Sequence, residues 1–323
     1  MPLTAHIATA LQATPQRIVV TGASSWLGRA TLDLLQDALG QAFKVRVVCF
    51  GSRRAEINLS PTRVIEQRPL SELCALPRQP TLLLHFAFLG KERAEAMLEA
   101  EYRATNHAIR QSVLDALDPI GVEAAFIASS GAAHHAEDTT ASPAMRLYGA
   151  LKRDDEHAFA SWAEASCTNA TIARIFNMSG PHINKLDSYA LSSFLRDALA
   201  GGPVMVRARH DVRRSFVAIR ELMSLVFALL LEQRPGVTRF DSGGDDIELD
   251  ALAEMIASSL GCPVERPALR TGPPDIYLGD DKTYRRLLAR HRIASVPLAE
   301  QIAETAMFLK AGSAVFELQD AYA

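Results

Sequence analysis

The stretch that most constrains the fold is an apolar run that leads through a glycine-containing turn into a helical segment. Residues 17–21 read Arg-Ile-Val-Val-Thr, Gly22 follows, and a helical pattern extends from Arg29 to Leu39. A β-branched run of this length is typical of a buried parallel strand. Strand, glycine turn and helix in this order favour a parallel α/β sheet. They are also the context that a dinucleotide pyrophosphate site requires.

The turn itself supplies the first candidate binding residues. We expect Gly22 to make the tight turn, the backbone N–H groups at the helix start to face phosphates, and Gly28 to allow close packing of helix and strand. Ser25 stands where a middle glycine is usual, but serine is small and its hydroxyl is able to donate to a phosphate. An ordinary βα turn is the alternative. The candidate cofactor residues here are Gly22, Ser24, Ser25, Trp26, Leu27 and Gly28.

Residues 45–50 predict a second strand, and the residues after it bear on the choice of cofactor. In NAD sites an acidic residue near the end of this strand holds the ribose diol, and an acid there would repel a 2′-phosphate. Here the chain continues Gly-Ser-Arg-Arg, without Asp or Glu. Ser52, Arg53 and Arg54 are candidates to bind a 2′-phosphate, the arginines by bidentate contact, so the sequence favours NADP over NAD. Two solvated loop arginines are the alternative.

Three later segments also have strand character, at residues 82–87, 124–128 and 170–177. The second of these runs directly into Ser129 and Ser130. Open parallel sheets place their chemistry at the carboxyl ends of the strands. These two serines are therefore candidates for a functional role.

Three histidines are interpreted as structural. His85 lies inside an apolar run and is expected to be a core residue. His134 and His135 are assigned to a polar loop, because adjacent histidines rarely chelate one ion together. No metal site is expected.

A Tyr-x-x-x-Lys pattern, Tyr148 to Lys152, supplies candidates for proton transfer. Positions four apart on a helix lie one turn along the same face, so the phenol and the ammonium are able to converge. A free phenol has a pKa of about 10, and a neighbouring ammonium and a cationic nicotinamide ring would both lower it. With Ser130 holding a substrate hydroxyl or carbonyl, this set suits joint transfer of a proton and a hydride. A half-buried tyrosine beside a solvated lysine is the alternative.

Composition argues against several other classes of protein. The chain has 323 residues, a net charge of −3 and no long basic run, which leaves room for a sizeable core and argues against nucleic-acid binding. Its cysteines lack Cys-x-x-Cys spacing, as expected of reduced thiols. The apolar runs at 82–89 and 225–231 are far shorter than the roughly 20 residues of a membrane span. Residues 1–16 lack the features of a signal peptide, so a cytoplasmic protein without membrane contact is expected.

The second half of the chain has shorter elements and a group of arginines within eight positions, namely Arg207, Arg209, Arg213 and Arg214. A solvated basic face is the default interpretation, and a clamp on a diphosphate is the alternative. The expected domain organisation has three parts. They are an N-terminal extension at 1–16, an NAD(P)-binding domain at 17–178 to which 211–245 return, and a substrate-binding domain from 179–210 and 246–323.

Taken in order, these motifs resemble the extended short-chain dehydrogenase/reductase family, the branch that contains nucleotide-sugar epimerases, dehydratases and reductases. The resemblance covers residues 17–310. It implies a Rossmann-type, doubly wound parallel sheet with a smaller C-terminal α/β substrate-binding domain. The motifs are Thr21-Gly22-x-x-Ser25-x-x-Gly28, His85-Phe86-Ala87, Thr105-Asn106, Ser129-Ser130, Tyr148-x-x-x-Lys152, Arg174-x-Phe176-Asn177-x-x-Gly180-Pro181 and Arg214-Ser215-Phe216-Val217.

The resemblance also implies roles for individual residues. Tyr148 would be the acid/base, Lys152 would lower its pKa and hold the nicotinamide ribose, and Ser130 would orient the substrate. Asn177 and Arg214 would contact the phosphates of a nucleotide sugar. A homodimer is implied, packed through the helices near 91–117 and 148–165. The implied cofactor site further includes Phe86, Ala87 and Asn106.

Among the reactions of that family, 4,6-dehydration is disfavoured. Sugar dehydratases of the family carry Asp-Glu directly after the catalytic Ser or Thr, because elimination needs an acid and a base besides the tyrosine. Here Ser130 is followed by Gly-Ala-Ala. The missing acid after the second strand favours NADP-linked reduction of a keto-sugar nucleotide, with an NAD-dependent nucleotide-sugar epimerase as the alternative. A catalytically degenerate cofactor-binding or sensor protein is a second alternative, supported by Ser25 in the glycine motif.

Overall fold

The secondary structure alternates between strands and helices over most of the chain. The structure is a computed structural model that describes residues 2–232, 234–270 and 272–320. Its strands are β1 (Arg17–Thr21), β2 (Val47–Gly51), β3 (Ala55–Ser60), β4 (Arg63–Pro69), β5 (Thr81–His85), β6 (Val122–Ser130), β7 (Asn169–Ile175), β8 (Asn177–Ser179), β9 (Val204–Met205), β10 (Val212–Arg214), β11 (Phe216–Ala218), β12 (Gly236–Asp241), β13 (Ile247–Glu248), β14 (Val264–Glu265) and β15 (Asp275–Tyr277). Its helices are α1 (Ala5–Ala13), α2 (Trp26–Leu39), α3 (Phe43–Arg46), α4 (Lys91–Ala96), α5 (Glu99–Ile120), α6 (Pro143–Ala165), α7 (Ala190–Leu199), α8 (Ile219–Leu230), α9 (Leu249–Leu260), α10 (Lys282–Arg290) and α11 (Leu298–Asp320).

A mostly parallel sheet organises these elements, in the order β12-β7-β6-β5-β1-β2-β4-β3. Every neighbouring pair is parallel except β3 and β4, which form an antiparallel edge. From β1 the chain moves to one side for β2 and to the other side for β5. This reversal opens a crevice beyond the carboxyl ends of the strands, where ligands bind in folds of this kind. The expected fold class, a Rossmann-type parallel sheet, is confirmed.

Helices cover both faces of the sheet because alternate residues of the strands point to opposite faces. Ile18 and Val20 of β1 lie in one core cluster with side chains of α2 and α8. Val19, between them, lies in a second cluster with side chains of α5 and α6. Both faces of the central strands are therefore buried, which explains why these strands read as continuous apolar runs.

A smaller group of elements adjoins the sheet on the side of its carboxyl ends. Helices α7, α9 and α11 share a core of their own, formed largely by Leu191, Phe194, Leu252, Ile256 and Ile302. Short strands pair beside them, β9 with β14, and β10 between β13 and β15. The smaller C-terminal part of the expected fold is thus present, and the proposed domain boundaries remain predictions.

Several elements differ from the expectation. The N-terminal segment, expected only as an extension, is a packed helix, because Ile7 and Leu11 of α1 are buried in the core that α2 and α8 share. The helix expected at 91–117 is interrupted at Met97, whose backbone is extended. The second strand begins at Val47, two positions later than expected. The antiparallel β3–β4 edge was not expected at all. No helix in the described ranges is long and apolar enough to cross a membrane.

Candidate active site

A cleft of about 650 Å³ lies where the carboxyl ends of the strands meet the smaller part of the molecule. Its walls come from the glycine turn, the segment after β5, the end of β6, helix α6 and strands β8, β10 and β15. The cleft therefore brings together residues that are far apart in sequence. The candidate site residues that line it are Ser25, Trp26, Leu27, Phe86, Ser130, Tyr148, Lys152, Asn177 and Arg214. The candidates that do not are Gly22, Ser24, Gly28, Ser52, Arg53, Arg54, Ala87 and Asn106.

The turn after β1 has the tight geometry that its glycines predict. Gly22 has a φ of +69°, and a Cβ there would lie 2.5 Å from the backbone nitrogen of Ala87. A Cβ on Gly28 would lie 2.5 Å from the carbonyl oxygen of Gly22. Both positions therefore exclude any side chain. Ser25 differs, since its φ of −69° suits any residue, and its Oγ accepts a hydrogen bond from the Gly28 amide at 3.1 Å. The serine in the middle position thus acts as the N-cap of α2.

The start of α2 offers unpaired donors to the cleft. Among the described hydrogen bonds, none has the backbone N–H of Trp26 or Leu27 as its donor, and both residues line the cleft. The N-terminus of a helix combines such amides with the positive end of the helix dipole. The indole of Trp26 is held in place by donation to the Pro181 carbonyl at 2.8 Å. These residues fit the pyrophosphate of a dinucleotide.

Helix α6 carries the proposed acid/base. It begins with Ser142 as N-cap, whose Oγ accepts from the Met145 amide at 3.2 Å. Gly149 was not singled out from the sequence, yet a Cβ there would lie only 2.0 Å from the carbonyl oxygen of Ala132. The glycine therefore allows α6 to lie directly against the turn that follows Ser130. This contact is what brings Tyr148 to the serine.

Tyr148 is half-buried, and its phenol interacts with the Ser130 hydroxyl. Burial raises the pKa of Tyr148 above its ordinary value, and the hydrogen bond to Ser130 opposes this rise in part. The lowering expected from Lys152 is not seen, and burial of the phenol is the largest influence on this pKa. Tyr148 is therefore neutral at pH 7 and able to donate a proton.

Lys152 is buried at 7% exposure and donates from Nζ to the Ala128 carbonyl at 2.8 Å. Burial lowers its pKa to about 8, whereas Asp155 and Glu156 favour the charged form. The Nζ atom lies 3.8 Å from the ring centroid of Phe88. The same ring packs edge-on against Tyr148, with the centroids 5.6 Å apart. The lysine is thus not solvated, and an aromatic side chain contacts both members of the pair.

Phe88 was not found from the sequence, and its position is fixed by the backbone of the next residue. The amide of Leu89 donates to Oδ1 of Asn106 at 2.8 Å, and its carbonyl accepts from the Tyr102 hydroxyl at 2.6 Å. Asn106 is itself buried and reaches the cleft only through this segment. The sequence signal that could have found Phe88 is the aromatic residue directly after Ala87. In this structure Asn106 supports the loop that carries Phe88.

At the end of β2 the arrangement differs from the expectation of two arginines facing a phosphate. Arg54 is paired with Glu66 and with Glu72, whose contact to the guanidinium is 2.6 Å. Ser52 and Arg53 are exposed. Of this group, Arg53 is the arginine for which no ion pair is recorded within the described ranges. The expected role of these three residues stays a prediction.

Gln67 of β4 occupies the space beside Gly51, at the end of β2. A Cβ on Gly51 would lie 2.3 Å from both Cδ and Nε2 of Gln67. The amide donates from Nε2 to the Arg53 carbonyl at 3.0 Å, which fixes its orientation, and its Oε1 is buried without a partner among the described atoms. The carboxamide therefore stands where the side chain of residue 51 would otherwise lie. This packing explains why the strand ends in glycine rather than in an acid.

The far side of the cleft is formed by the smaller part. Asn177 donates to the Ser215 carbonyl at 3.1 Å. Arg214 is paired with Asp275 at 2.8 Å. Tyr277, which follows two residues later in β15, lines the cleft and interacts with Ser130. No sequence motif had marked Tyr277.

The three histidines behave as polar structural residues. His85 is buried, its Nδ1 lies 2.7 Å from Thr21 Oγ1, and burial together with Lys152 lowers its pKa to about 3. The core assignment is confirmed. His134 pairs with Asp241 and His135 with Asp138, both at 2.9 Å.

Comparison with known proteins agrees with this geometry. A model of the NAD dependent epimerase/dehydratase family matches residues 18–240. A dTDP-L-rhamnose 4-epimerase of Burkholderia thailandensis is 30% identical over 129 residues, which are 39% of this chain. The match spans only 36% of that relative's length.

Solved structures resemble the chain over nearly its whole length. A UDP-N-acetylglucosamine 4-epimerase from Methanobrevibacter ruminantium, in complex with UDP-N-acetylmuramic acid, has a TM-score of 0.69 at 18% identity and covers 92% of this chain and 99% of its own. A UDP-glucose 4-epimerase of Thermus thermophilus, in complex with NAD, has a TM-score of 0.66 at 21% identity and covers 91% of this chain and 99% of its own. A dTDP-glucose 4,6-dehydratase from Streptomyces venezuelae, with NAD bound, has a TM-score of 0.67 at 20% identity, with 92% and 97% covered. At these identities the likeness establishes the fold.

Proposed function

The chain belongs to the NAD dependent epimerase/dehydratase family, and we propose that it transfers a hydride between a nicotinamide dinucleotide and the sugar of a nucleotide sugar. The observation that carries the proposal is the meeting of Ser130, Tyr148 and Lys152 in the cleft that the start of α2 enters. A bound nicotinamide would supply or accept the hydride. The protein residues would bind, orient and exchange the proton.

In this proposal the proton moves at one oxygen of the substrate. For reduction of a keto-sugar, the neutral Tyr148 donates its proton to the carbonyl oxygen as the hydride reaches the carbon. The Ser130 hydroxyl donates a hydrogen bond to that oxygen. The Lys152 ammonium stabilises the developing phenolate and would bind the ribose of the nicotinamide cofactor. The raised pKa of Tyr148 supports the donor role, since the phenol begins protonated. A reductase is therefore the preferred reaction.

An NAD-dependent nucleotide-sugar epimerase is the second candidate. It is favoured by the epimerases among the similar proteins, one of which has NAD bound. In that reaction the same tyrosine would take the proton from a sugar hydroxyl as the hydride leaves the carbon. It would return the proton to the carbonyl oxygen when the hydride comes back to the opposite face of that carbon. Dehydration stays disfavoured, because Gly131, Ala132 and Ala133 follow the serine where an acid and a base would be needed.

For the cofactor we keep NADP as the preference, with NAD as the alternative. Two observations support a 2′-phosphate: no acid follows β2 in the sequence, and Arg53 has no ion pair among the described residues. Arg54 contributes less than the sequence suggested, because two carboxylates already hold it. A homodimer packed through the helices near 91–117 and 148–165 is proposed from the resemblance to the family. A cytoplasmic location is likewise proposed from composition.

The proposal is tested by assaying the protein with NADPH or NADH and keto-sugar nucleotides of UDP, dTDP and GDP, following the nicotinamide absorbance. The corresponding sugars with NAD, analysed by chromatography for epimers, test the second candidate. Tyr148→Phe is expected to lower turnover by roughly 10²–10⁴-fold, as loss of an acid/base does, while cofactor binding is kept. A wild-type protein that binds cofactor and turns over none of these sugars, or a variant with unchanged turnover, would overturn the proposal.

A further inference from the structure

Helix α6 carries a third polar residue on the face that presents Tyr148 and Lys152. Glu156 follows Lys152 by four residues, so the two side chains lie one helical turn apart on the same face. The glutamate is 2% exposed, a degree of burial that carboxylates almost never have unless they are paired. The proposed function uses the tyrosine and the lysine of this face and gives Glu156 no role.

The Glu156 carboxylate binds two neighbouring strands at once. Ser129 of β6 donates from Oγ to Oε1 at 2.5 Å. Arg174 of β7 donates from Nε to Oε1 at 2.9 Å and from a terminal guanidinium nitrogen to Oε2 at 2.7 Å. Ser129 and Arg174 stand opposite each other in the sheet. The carboxylate therefore ties α6 to the carboxyl ends of both strands.

This tie lies next to the contact that holds Lys152. The lysine ammonium donates at 2.8 Å to the carbonyl of Ala128, the residue before Ser129. Successive turns of α6 thus bind successive residues of β6, and Ser130 follows directly in the strand. Because the two contacts are adjacent, a displacement of the helix at Glu156 would also move the ammonium.

Glu156 also acts on Lys152 by its charge. Burial would raise the pKa of the Glu156 carboxyl, but the hydrogen bonds from Arg174 and Ser129 outweigh burial and leave that pKa below its ordinary value. The glutamate is therefore ionised at neutral pH. Burial lowers the pKa of Lys152 to about 8, and the charges of Asp155 and Glu156 oppose this lowering because they favour the ammonium.

The other ionisable groups beside Lys152 in the described chain keep their charge state as the lysine titrates. Burial raises the pKa of Asp155 to about 6, so this carboxyl is ionised above that pH. Burial lowers the pKa of His85 to about 3 and raises the pKa of Tyr148, so both are neutral near pH 8. Arg110 lies 3.3 Å from Asp155, and arginine keeps its charge in proteins. A change in cofactor binding near pH 8 therefore reports on Lys152.

We propose that Glu156 is a positioning residue, which ties α6 to β6 and β7 and keeps the Lys152 ammonium charged and in place for the cofactor as the pH rises. This inference rests on the proposed function, in which Lys152 binds the ribose of the nicotinamide cofactor. Glu156 does not line the cleft, so it acts through the lysine.

The test follows NADPH and NADH binding by fluorescence titration from about pH 6 to about pH 9.5. Glu156→Gln keeps the shape of the side chain and removes its charge. Asp154→Asn is the matched control, because it also turns a carboxylate of α6 into a carboxamide, at an exposed position. Lys152→Met has no ammonium and should lack the loss of binding that the wild type shows above pH 8.

In Glu156→Gln the midpoint of this loss should move to lower pH by about one unit, since removal of a nearby opposite charge lowers the pKa of a lysine. At pH 8, where about half of the wild-type lysine is charged, such a shift lowers the affinity about fivefold. Asp154→Asn should match the wild type. The inference is wrong, while the proposed function stands, if the midpoint of Glu156→Gln is unchanged, if Asp154→Asn shifts equally, if Lys152→Met keeps the pH dependence, or if wild-type affinity is constant over the range.

A double variant decides the question if Glu156→Gln does not fold, since that change leaves the half-buried Arg174 without its carboxylate. Glu156→Gln combined with Arg174→Gln removes both charges. Its midpoint should also lie below that of the wild type, by a smaller amount, because the lost carboxylate is one helical turn from Lys152 and the lost guanidinium lies beyond it on β7. A midpoint equal to that of the wild type contradicts the inference. If the wild type binds neither NADPH nor NADH, the proposed function fails and this inference with it.

Discussion

Two regions at the carboxyl edge of the parallel sheet, the end of β6 and the end of β2, differ in how they meet the needs of a dinucleotide. At the end of β6, Ser130, Tyr148 and Lys152 line the same cleft, as the Tyr-x-x-x-Lys spacing and the position of the serine predict. At the end of β2, where NAD sites carry an acid, this chain has none, and the carboxamide of Gln67 lies against Gly51. The end of β6 carries the three residues that the sequence predicted. At the end of β2 (the β2 end), a side chain of the neighbouring strand β4 fills the space beside Gly51.

The difference reflects what each end has to do. Proton transfer needs particular groups at hydrogen-bond distance from one oxygen, so few residue types serve. A ribose hydroxyl, by contrast, is satisfied by any acceptor or donor that reaches it. The residues that bind the ribose at the β2 end are consequently harder to predict from the sequence. Substitutions at the β2 end are expected to change the preference between NAD and NADP rather than the reaction.

The largest effect is expected at the glycine turn after β1, the strand that lies between these two regions in the sheet. Gly22→Ala combines a left-handed backbone, which costs about 1–2 kcal/mol, with a Cβ that meets the backbone of Phe86 and Ala87, and overpacking adds about 1–3 kcal/mol. We expect a loss of unfolding free energy near the sum of these terms, together with loss of cofactor binding.

Gly201→Ala is the matched control for this change. Its φ of +77° is similar, but no atom lies within 4 Å of the added Cβ. It should show only the cost of the backbone conformation and leave NADPH and NADH binding intact. Denaturant unfolding and fluorescence titration measure the two quantities. Equal destabilisation of both variants would show that the contact with Ala87 does not matter.

A second prediction concerns the β2 end, where Gln67 lies against Gly51. Gly51→Asp alone should weaken binding of both cofactors, because its side chain collides with Gln67. Combined with Gln67→Gly, the aspartate gains room to accept from the ribose diol and to repel a 2′-phosphate. We expect the ratio of NADH to NADPH affinity to rise about tenfold or more in the double variant. Gln67→Gly alone is the control. A ratio equal to that of the wild type would mean that residue 51 does not face the ribose.

The smallest effect is expected from substitution of Phe88, and it is a shift in the pH dependence of cofactor binding. Lys152, with a pKa of about 8, is charged below that pH and loses its proton as the pH rises through it. Cofactor binding that depends on the ammonium should therefore weaken above pH 8. Phe88→Ala admits water to the ammonium, which raises the pKa of Lys152 toward its usual 10.5 and moves the loss of binding to higher pH.

Titrations of NADH and NADPH across this range measure the shift. Phe88→Leu keeps an apolar cover over the ammonium and should behave like the wild type. An identical pH profile in Phe88→Ala would show that other groups keep Lys152 desolvated.

Much of the fold was predictable because the sheet is parallel and buried on both faces. Each central strand is a continuous apolar run, so β1, β5, β6 and β7 could be found within a few residues of their ends. The β3–β4 edge was missed because its strands are half-exposed and carry charged side chains. The packing of α1 was missed because nothing local indicates which surface will cover Ile7 and Leu11.

The candidate site divides in the same way. Tyr148 and Lys152 were found because one helix turn separates them, which is a local relation. Phe88, Gln67 and Tyr277 were missed because each acts through a contact between elements that are distant in the chain. The burial that raises the pKa of Tyr148, and the two carboxylates that hold Arg54, are likewise products of packing.

The sequence by itself determined the parallel sheet, the glycine turn, and the helix that carries the phenol and the ammonium. These depend on apolar periodicity, on backbone conformation and on the four-residue spacing of a helix, all of which are local properties. The tertiary structure alone decided which side chains surround those groups, whether the ammonium is covered by an aromatic ring, and what stands at the end of β2. Such contacts join residues from separate strands and helices, and their energies depend on burial, which no single stretch of sequence specifies.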